Sequence, residues 1–233
     1  MTTKKNDFVE IKYTGIAQGN VFDSNIEEDL KKMNTREKPR KTIVMVGQGM
    51  LVKGFDDALE GKEVGKEYEV KVGVKDGFGE RKRDLVKTIP LKIFSEKKIQ
   101  PYPGLVLAMD DMIAKVLTVS GARVITDFNN PLAGKELNYK FTIARKVEDE
   151  KEKAETLFEF LMRFVPPEME VKDSVLVRGP KELGFFINAI KEKFEKLMGK
   201  ALTFEEKKED KKEGKEEEKE HVHGPDCDHE HNH

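Results

Sequence analysis

The sequence predicts an α+β fold in which an antiparallel sheet carries one short helix, with a smaller α/β unit after it. Three observations support this class. Separate segments alternate apolar and polar residues, as strands with one buried face do. Only a single helical turn stands out between the first two of these segments, and a sustained helical spacing of apolar residues first appears at Lys151.

Three strands of the sheet are predicted from their alternating residues. They are FVEIKYTG (8–15), EYEVKVGV (67–74) and LNYKFTI (137–143). An apolar run at 43–46 lies between the first two and is followed by the helical turn 55–59, which Gly61 closes. We therefore expect one discontinuous domain, formed by residues 1–85 and 128–150.

Residues 86–127 differ from the segments around them and predict a small β-rich insert. Their first part is irregular, apolar and rich in proline, and two strand-like runs follow at 112–119 and 122–126. Ser120-Gly121 is placed between these runs as a turn would be. These 42 residues predict a separate unit, not a loop.

Residues 151–205 predict a C-terminal domain made of a helix, a strand and a second helix. Apolar residues follow a helical spacing from Ala154 until Pro166 ends it, a strand-like VKDSVLV follows, and Gly199 is placed to cap the second helix. The apolar helix faces need a partner surface. That surface is this unit together with the first domain, a second copy of the chain in a homodimer, or another polypeptide that binds there.

The distribution of histidine and cysteine excludes most enzyme chemistry from the body of the chain. All five histidines and the only cysteine lie in the last thirteen residues. Residues 1–220 therefore contain no Ser-His-Asp triad, no cysteine nucleophile and no imidazole acid or base. Carboxylate, lysine or tyrosine chemistry remains, as does a reaction such as bond rotation that needs no proton transfer.

Residues 206–233 predict a charged, extended tether that ends in a metal-binding tail. The tether has no apolar residues to bury. Imidazole and thiol groups bind Ni, Zn or Cu, but a flexible tail does not select among them. The tail serves either metal storage or delivery, or only incidental chelation. The proposed ligands are His221, His223, Cys227, His229, His231 and His233.

Charge and hydropathy predict a cytoplasmic protein without nucleic-acid or membrane partners. Residues 1–205 carry 37 basic and 34 acidic side chains, which is not the strongly basic balance of a nucleic-acid-binding protein. No uninterrupted apolar stretch approaches the roughly 18 residues of a membrane span, and the first ten residues contain no apolar signal region. A single cysteine fits a reducing compartment.

Several motifs, in this order and spacing, resemble the FKBP family of peptidyl-prolyl isomerases. They are YTG at Tyr13, VFDS at Val21, VGQGMLVKGFDDALEG, DGFGE at Asp76 and DFNNPLAGKELNYKF at Asp127. The insert and the histidine-rich tail make the sequence similar to the SlyD-like, long prokaryotic members. The resemblance covers residues 6–146 and implies an antiparallel half-barrel wrapped on the short helix.

This resemblance implies an apolar aromatic pocket that accepts the proline of an X-Pro bond. In that pocket Phe55 is the floor, Leu51 and Val52 pack on the prolyl ring, and Asp23 positions the substrate carbonyl without acting as a base. No cofactor is required. The matching residues are Tyr13, Phe22, Asp23, Leu51, Val52, Phe55, Phe78 and Tyr139.

Three positions depart from the common family pattern. Phe55 replaces a tryptophan found in many members, Phe78 replaces a tyrosine whose hydroxyl often donates a hydrogen bond to ligands, and Asn130 replaces a histidine. Both phenylalanines keep the pocket apolar. Loss of the hydroxyl at Phe78 should weaken the binding of macrolide inhibitors more than it slows bond rotation, because that donor is only one of several contacts.

The resemblance further implies that the insert binds unfolded polypeptides and passes their prolines to the pocket. Nine residues are candidates for that surface, although half or more of them are alternatively needed for the core of the insert. The candidates are Leu91, Phe94, Ile99, Tyr102, Leu105, Leu107, Met109, Met112 and Ile113. A second hypothesis for the whole chain is a non-catalytic holdase or metal-handling protein with a vestigial pocket.

Overall fold

The structure, a computed structural model, describes residues 1–35, 38–109 and 112–207. Residues 1–85 form most of the first sheet. Their elements are β1 (Phe8–Ala17), β2 (Asn20–Ser24), α1 (Glu27–Lys32), β3 (Thr42–Met45), α2 (Lys53–Ala58) and β4 (Glu67–Val72). The predicted strands and the short helix are confirmed, whereas α1 and β2 were not predicted as separate elements.

The insert forms a sheet of its own with one helix against it. Its elements are β5 (Val86–Pro90), α3 (Leu91–Glu96), β6 (Val106–Met109), β7 (Met112–Ser120) and β8 (Arg123–Asp127). The predicted hairpin is confirmed, because β7 and β8 pair antiparallel across Gly121, whose φ of 54° is a left-handed conformation. The strand order in this sheet is β5-β8-β7-β6.

The chain then returns to the first sheet and continues into the C-terminal unit. These elements are β9 (Leu137–Lys146), α4 (Glu150–Met162), β10 (Glu168–Val171), β11 (Val175–Gly179), α5 (Lys181–Met198) and β12 (Leu202–Glu206). Two details differ from the prediction. The expected single strand is a hairpin of β10 and β11, and residues 202–206, for which no strand was predicted, form β12, which pairs parallel to β11.

The first sheet is organised around β1, which is long enough to pair with three strands. One edge of β1 pairs with β9 along its length, while its two halves pair with β2 and β3 on the other edge. Strand β4 follows β9. Residues directly opposite one another in an antiparallel pair share a face, so Tyr13 lies beside Phe141, and Gly15 beside Tyr139.

This shared face is concave and packs on α2. Phe55 and Leu59, from α2 and its end, lie in the same buried cluster as Ile11, Tyr139 and Phe141. The alternation seen in the sequence therefore corresponds to a buried face of the half-barrel. Among the described residues, no helix is both long enough and apolar enough to cross a membrane.

The C-terminal unit packs directly on the half-barrel. Phe8 and Met45, on β1 and β3, belong to one buried cluster with Leu157 and Phe158 of α4. Glu152 strengthens this contact because it pairs with Arg145 at 2.6 Å and also with Lys41, while Arg145 binds Glu10 at 2.8 Å. Packing within the unit and on the first domain therefore covers much of the apolar surface of the C-terminal helices.

Candidate functional site

A group of aromatic rings occupies the open end of the concave face. Tyr139 of β9 is buried, and Phe22 of β2 approaches it edge-on with ring centroids 5.8 Å apart. Gly15 allows this approach, because a Cβ at that position would lie 2.7 Å from Phe22 Cζ and 3.0 Å from Tyr139 Cε1. The glycine of the YTG motif is therefore needed for the packing of the site.

Phe55 forms the floor of this group. Its ring, fully buried on α2, stacks on Tyr139 with centroids 4.3 Å apart and an angle of 15° between the planes. Phe141 packs beneath it at 5.2 Å. Two rings locked together in this way give a rigid apolar surface.

Half-buried side chains form the walls. Tyr13 lies 5.8 Å from Phe55, and Phe78 meets Phe22 edge-on at 6.5 Å. Leu51 and Val52 pack against the same cluster from the loop before α2. We call this surface the aromatic cleft and define it by Tyr13, Phe22, Leu51, Val52, Phe55, Phe78 and Tyr139.

The loop that carries Leu51 and Val52 is held by a buried carboxylate. Asp56 accepts hydrogen bonds from the backbone N–H of Gly47 at 2.9 Å and of Gly49 at 2.7 Å. Both glycines have positive φ angles, 75° and 72°. The first turn of α2 thus anchors the loop in the conformation that brings Leu51 and Val52 to the cleft.

Asp23 lies exposed at the rim and is oriented by Tyr13. The Tyr13 hydroxyl donates a hydrogen bond to Asp23 Oδ2 at 2.9 Å. Burial and the nearby Asp23 carboxylate raise the pKa of the Tyr13 hydroxyl far above its ordinary value. The same two causes raise the pKa of Tyr139 to about 12. Both hydroxyls therefore stay protonated near neutral pH, where they are hydrogen-bond donors and not bases.

All eight predicted pocket residues lie together, seven in the aromatic cleft and Asp23 at its rim. Their roles in binding and rotation stay predictions. The predicted metal ligands, from His221 to His233, lie outside the described residues. Within the described part of the chain, no three His, Cys, Asp or Glu side chains are placed to hold a metal ion.

Two residues that position the site were not identified from the sequence. Gly15 belongs to the YTG motif, and Asp56 is the first aspartate of GFDDALEG. A glycine in the middle of an alternating strand often marks a position where other groups pack closely against the backbone. This signal would have indicated Gly15. The bonds of Asp56 span seven to nine residues, so no short pattern indicates them.

The insert is joined to the half-barrel through a neck, which we define as residues 81–86 and 127–129. Asn129 bridges its two segments, because its side chain accepts from Lys82 N at 2.8 Å and donates to Lys82 O at 3.0 Å. Arg81 binds Asp127 at 2.7 Å. Although burial acts to raise the pKa of Asp127, its hydrogen bonds with Asn129 and Arg81 lower it below the ordinary value.

An apolar groove of about 530 Å³ lies on the insert next to this neck. Ile89, Ile93, Met109, Met112 and Phe128 line it, with Lys87 and Lys97 at its edges. Six of the nine candidate surface residues instead form the core of the insert. Tyr102, Met112 and Ile113 are the three that remain exposed.

Comparison with known proteins agrees with this geometry. The family of FKBP-type peptidyl-prolyl cis-trans isomerases matches residues 1–95, and the FKBP26 IF domain matches residues 87–132. A short-type peptidyl-prolyl cis-trans isomerase of Methanocaldococcus jannaschii is 38% identical over 149 residues, which are 63% of this chain and 92% of that protein.

Two SlyD proteins match over a shorter length. The FKBP-type peptidyl-prolyl cis-trans isomerase SlyD of Haemophilus influenzae is 35% identical over 96 residues, 40% of this chain and 50% of that protein. SlyD of Escherichia coli is 31% identical over 100 residues, 42% and 51% of the two chains. This chain thus matches about half the length of each SlyD. The half-barrel, the aromatic cleft and the M. jannaschii match together show that the chain belongs to the FKBP-type peptidyl-prolyl cis-trans isomerases.

Proposed function

We propose that the aromatic cleft rotates X-Pro bonds of unfolded polypeptides and that the insert holds those polypeptides nearby. The observation that carries the proposal is the stacked Phe55–Tyr139 floor, surrounded by half-buried apolar walls and with Asp23 at the rim. No other constellation in the described part of the chain offers a comparable apolar surface next to a positioned carboxylate.

The chemistry follows from what stabilises a planar amide. Rotation of the amide is opposed by a barrier of roughly 18–20 kcal/mol because resonance stiffens the C–N bond. Water stabilises the planar, charge-separated form of the amide through hydrogen bonds. An apolar cleft removes these hydrogen bonds, so the free energy of the twisted form is less far above that of the planar form. A barrier lowered by about 5 kcal/mol accelerates rotation by between three and four decades.

The residues of the cleft have different roles in lowering this barrier. Phe55 and Tyr139 exclude water below the prolyl ring, and Leu51 and Val52 pack against its side. Asp23, held by Tyr13, interacts with the substrate carbonyl group as its bond twists. No step requires a proton transfer, a metal or another cofactor.

The insert supports capture of unfolded chains through its groove and exposed apolar residues. Ile113 is 62% exposed and Val106 is 58% exposed, on neighbouring strands. Phe128 lines the groove and also lies in the neck, so the groove ends close to the half-barrel. A chain bound there remains near the aromatic cleft, which raises its effective concentration at the site.

The remaining proposals concern partners and location. The C-terminal unit leaves Phe185 and Phe186 of α5 exposed by 69% and 60%, and we propose that this surface joins two copies in a homodimer. Replacing both by serine should then halve the mass measured by light scattering. The proposed location is the cytoplasm, neither nucleic acid nor a membrane is among the proposed partners, and the tail is proposed to bind Ni, Zn or Cu.

Refolding of a protein whose slow phase is limited by proline isomerisation tests the enzyme proposal. The intact chain should accelerate that phase at catalytic concentrations. Phe22→Leu/Asp23→Asn, which alters the cleft without opening the core, should lose most of this acceleration, whereas Phe164→Ala, at an exposed phenylalanine outside the cleft and the proposed dimer surface, should keep it. A chain with a short loop in place of 86–127 should keep activity on short peptides but lose most of its effect on refolding.

The opposite result would identify a holdase. In that case the intact chain would suppress aggregation only in stoichiometric amounts, and short peptides would isomerise no faster than in buffer. Loss of refolding activity in Phe185→Ser/Phe186→Ser, with full activity in the cleft variant, would show that the exposed C-terminal surface, and not the cleft, carries the effect.

A further inference from the structure

A cavity adjoins the aromatic cleft on the side of the C-terminal unit. It has a volume of about 280 Å³ and shares Tyr13, Asp23 and Leu51 with the site already described. Its far wall is formed by Thr156 and Glu159 of α4 and by Arg163, the residue that follows the helix. We call it the flanking groove, because it begins at the side of the cleft.

Ion pairs and buried contacts hold the α4 wall of the flanking groove against the half-barrel. The segment before β3 contributes Lys38, Arg40 and Lys41, and Lys41 pairs with Glu152 of α4. Glu152 also binds Arg145 of β9, and Leu157 is buried against the half-barrel one turn further along α4. The groove therefore exists before a substrate arrives, and it is built from two units of the chain.

Positive charge predominates along this groove. Four cationic side chains line it, whereas Asp23 and Glu159 are its only described acidic residues. Lys41 is engaged by Glu152, but Lys38 and Arg163 are exposed and form no ion pair with any described residue. Exposed cationic side chains that line a groove attract the carboxylates of a polypeptide substrate.

The volume of the flanking groove fits a short stretch of polypeptide and not a large ligand. This volume lies just below the roughly 300–1,000 Å³ of typical small-molecule sites. Because the groove opens from Tyr13 and Asp23, its occupant is continuous with whatever fills the aromatic cleft. A prolyl residue in the cleft would place the residues beside it in the groove.

We propose that the flanking groove is a specificity subsite for the client residues within a few positions of the proline, and that it favours aspartate and glutamate there. This inference rests on the proposed function of the aromatic cleft. It assigns to α4 a direct part in substrate selection, in addition to its packing on the half-barrel.

Isomerisation of matched peptides tests the subsite. One minimal peptide contains only the X-Pro bond and its nearest neighbours, and longer peptides carry Glu, Gln or Lys at corresponding positions before or after the proline. The wild-type protein should show a kcat/KM about fivefold higher for the favoured Glu peptide than for its Lys counterpart at low salt, as expected for one solvent-exposed ion pair.

Charge-reversal variants locate the effect. Arg163→Glu and Lys38→Glu should each abolish or invert the preference while leaving the minimal peptide unaffected. Lys191→Glu, which makes the same change on an exposed face of α5, should retain the preference. High salt should reduce it in the wild-type protein, because the screening length falls from about 10 Å at 0.1 M to about 3 Å at 1 M.

The outcomes separate the two proposals. Equal rates for the Glu, Gln and Lys peptides, or a preference that survives in both groove variants, would overturn the subsite and leave the isomerase intact. A preference lost equally in Lys191→Glu would assign it to overall charge and also overturn the subsite. No acceleration of the minimal peptide by the wild-type protein would instead contradict the function proposed for the cleft.

Discussion

At the scale of single residues, the aromatic cleft depends on one missing side chain and one oriented hydroxyl. Gly15 leaves the space into which Phe22 and Tyr139 pack. Tyr13 holds Asp23 at the rim through a hydrogen bond of 2.9 Å. Neither residue supplies a proton to the reaction, so both act by geometry.

Gly15→Ala should reduce both stability and activity. The added methyl group would lie 2.7 Å from Phe22 and force its ring out of place, and overpacking of this kind costs about 1–3 kcal/mol. Urea unfolding and peptide isomerisation measure the two effects. Gly73→Ala is the matched control, since its φ of −68° suits alanine and no atom lies within 4 Å of the new Cβ.

Tyr13→Phe should lower kcat/KM on short peptides about fivefold, since the hydrogen bond that orients Asp23 is lost and such bonds are worth about 1 kcal/mol. Exchange spectroscopy by NMR measures the rate without a coupled protease. Tyr102→Phe removes a hydroxyl from an exposed ring of the insert and should change nothing. An equal loss in both variants would disprove the role given to the Tyr13 hydroxyl.

The catalysed rate on an uncharged peptide should be constant from pH 6 to about 9.5. No histidine lies in residues 1–220, and the Tyr13 and Tyr139 hydroxyls keep their protons throughout this range because their pKa values are raised, that of Tyr139 to about 12. Rates corrected for uncatalysed isomerisation in the same buffers test this. A fall centred on the ordinary tyrosine pKa near 10 would show that one hydroxyl is not buried as described.

At the scale of elements, α2 has two functions that follow from adjacent residues. Phe55 faces the sheet and forms the floor of the cleft, while the next residue, Asp56, binds the loop that precedes the helix. A helix of six residues has little stability of its own, so its position depends on these tertiary contacts.

Asp56→Ala should destabilise the protein by about 3 kcal/mol, because two backbone donors lose a charged acceptor in a buried setting. The loop carrying Leu51 and Val52 should loosen, with faster amide hydrogen exchange at 47–52. Asp57→Ala is the control, since this neighbouring carboxylate is exposed. Equal stability of the two variants would show that the Gly47 and Gly49 bonds contribute little.

At the scale of the whole molecule, the half-barrel connects the other two units. The insert reaches it through the neck, and the C-terminal unit packs on β1 and β3 through the cluster that contains Phe8 and Met45. The flanking groove exists only because α4 is packed there. Variants that weaken this contact should therefore lose the preference for acidic client residues while they still catalyse bond rotation.

Acid should weaken the contact of α4 with the half-barrel. Hydrogen bonds from Lys41 and Arg145 lower the pKa of Glu152 below its ordinary value of 4.5. A carboxylate with a lowered pKa stabilises the folded arrangement above the ordinary value and loses that contribution as the pH falls through the lower one. Hydrogen exchange in β3 and α4 should accordingly rise as the pH is lowered from about 5 to 3.

Glu152→Gln should show weaker protection at pH 7 and a smaller further loss in acid. Glu155→Gln, which alters an exposed ion pair with Lys151 on the same helix and not a contact with the half-barrel, should behave like the wild-type protein. Each exchange rate is compared with its intrinsic rate at the same pH. An identical acid response in the Glu152 and Glu155 variants would exclude Glu152 as its origin.

The sequence by itself determined the family, the main strands, the short helix and the eight residues of the proposed pocket. It did so because strand alternation and motif order are local properties that survive without coordinates. Alternation also identified the buried face. The register of β1 and β9 in the structure agrees with it, because Tyr13, Tyr139 and Phe141 lie on the same side.

Only the tertiary structure decided how distant segments meet. The chain after Gly199 becomes a strand because β11 offers it an unpaired edge, and the nine apolar residues of the insert divide into core and surface according to the strands they pack on. Asp56 and the flanking groove depend on contacts across loops and units. Such contacts follow from three-dimensional packing, for which a local pattern of residues contains no signal.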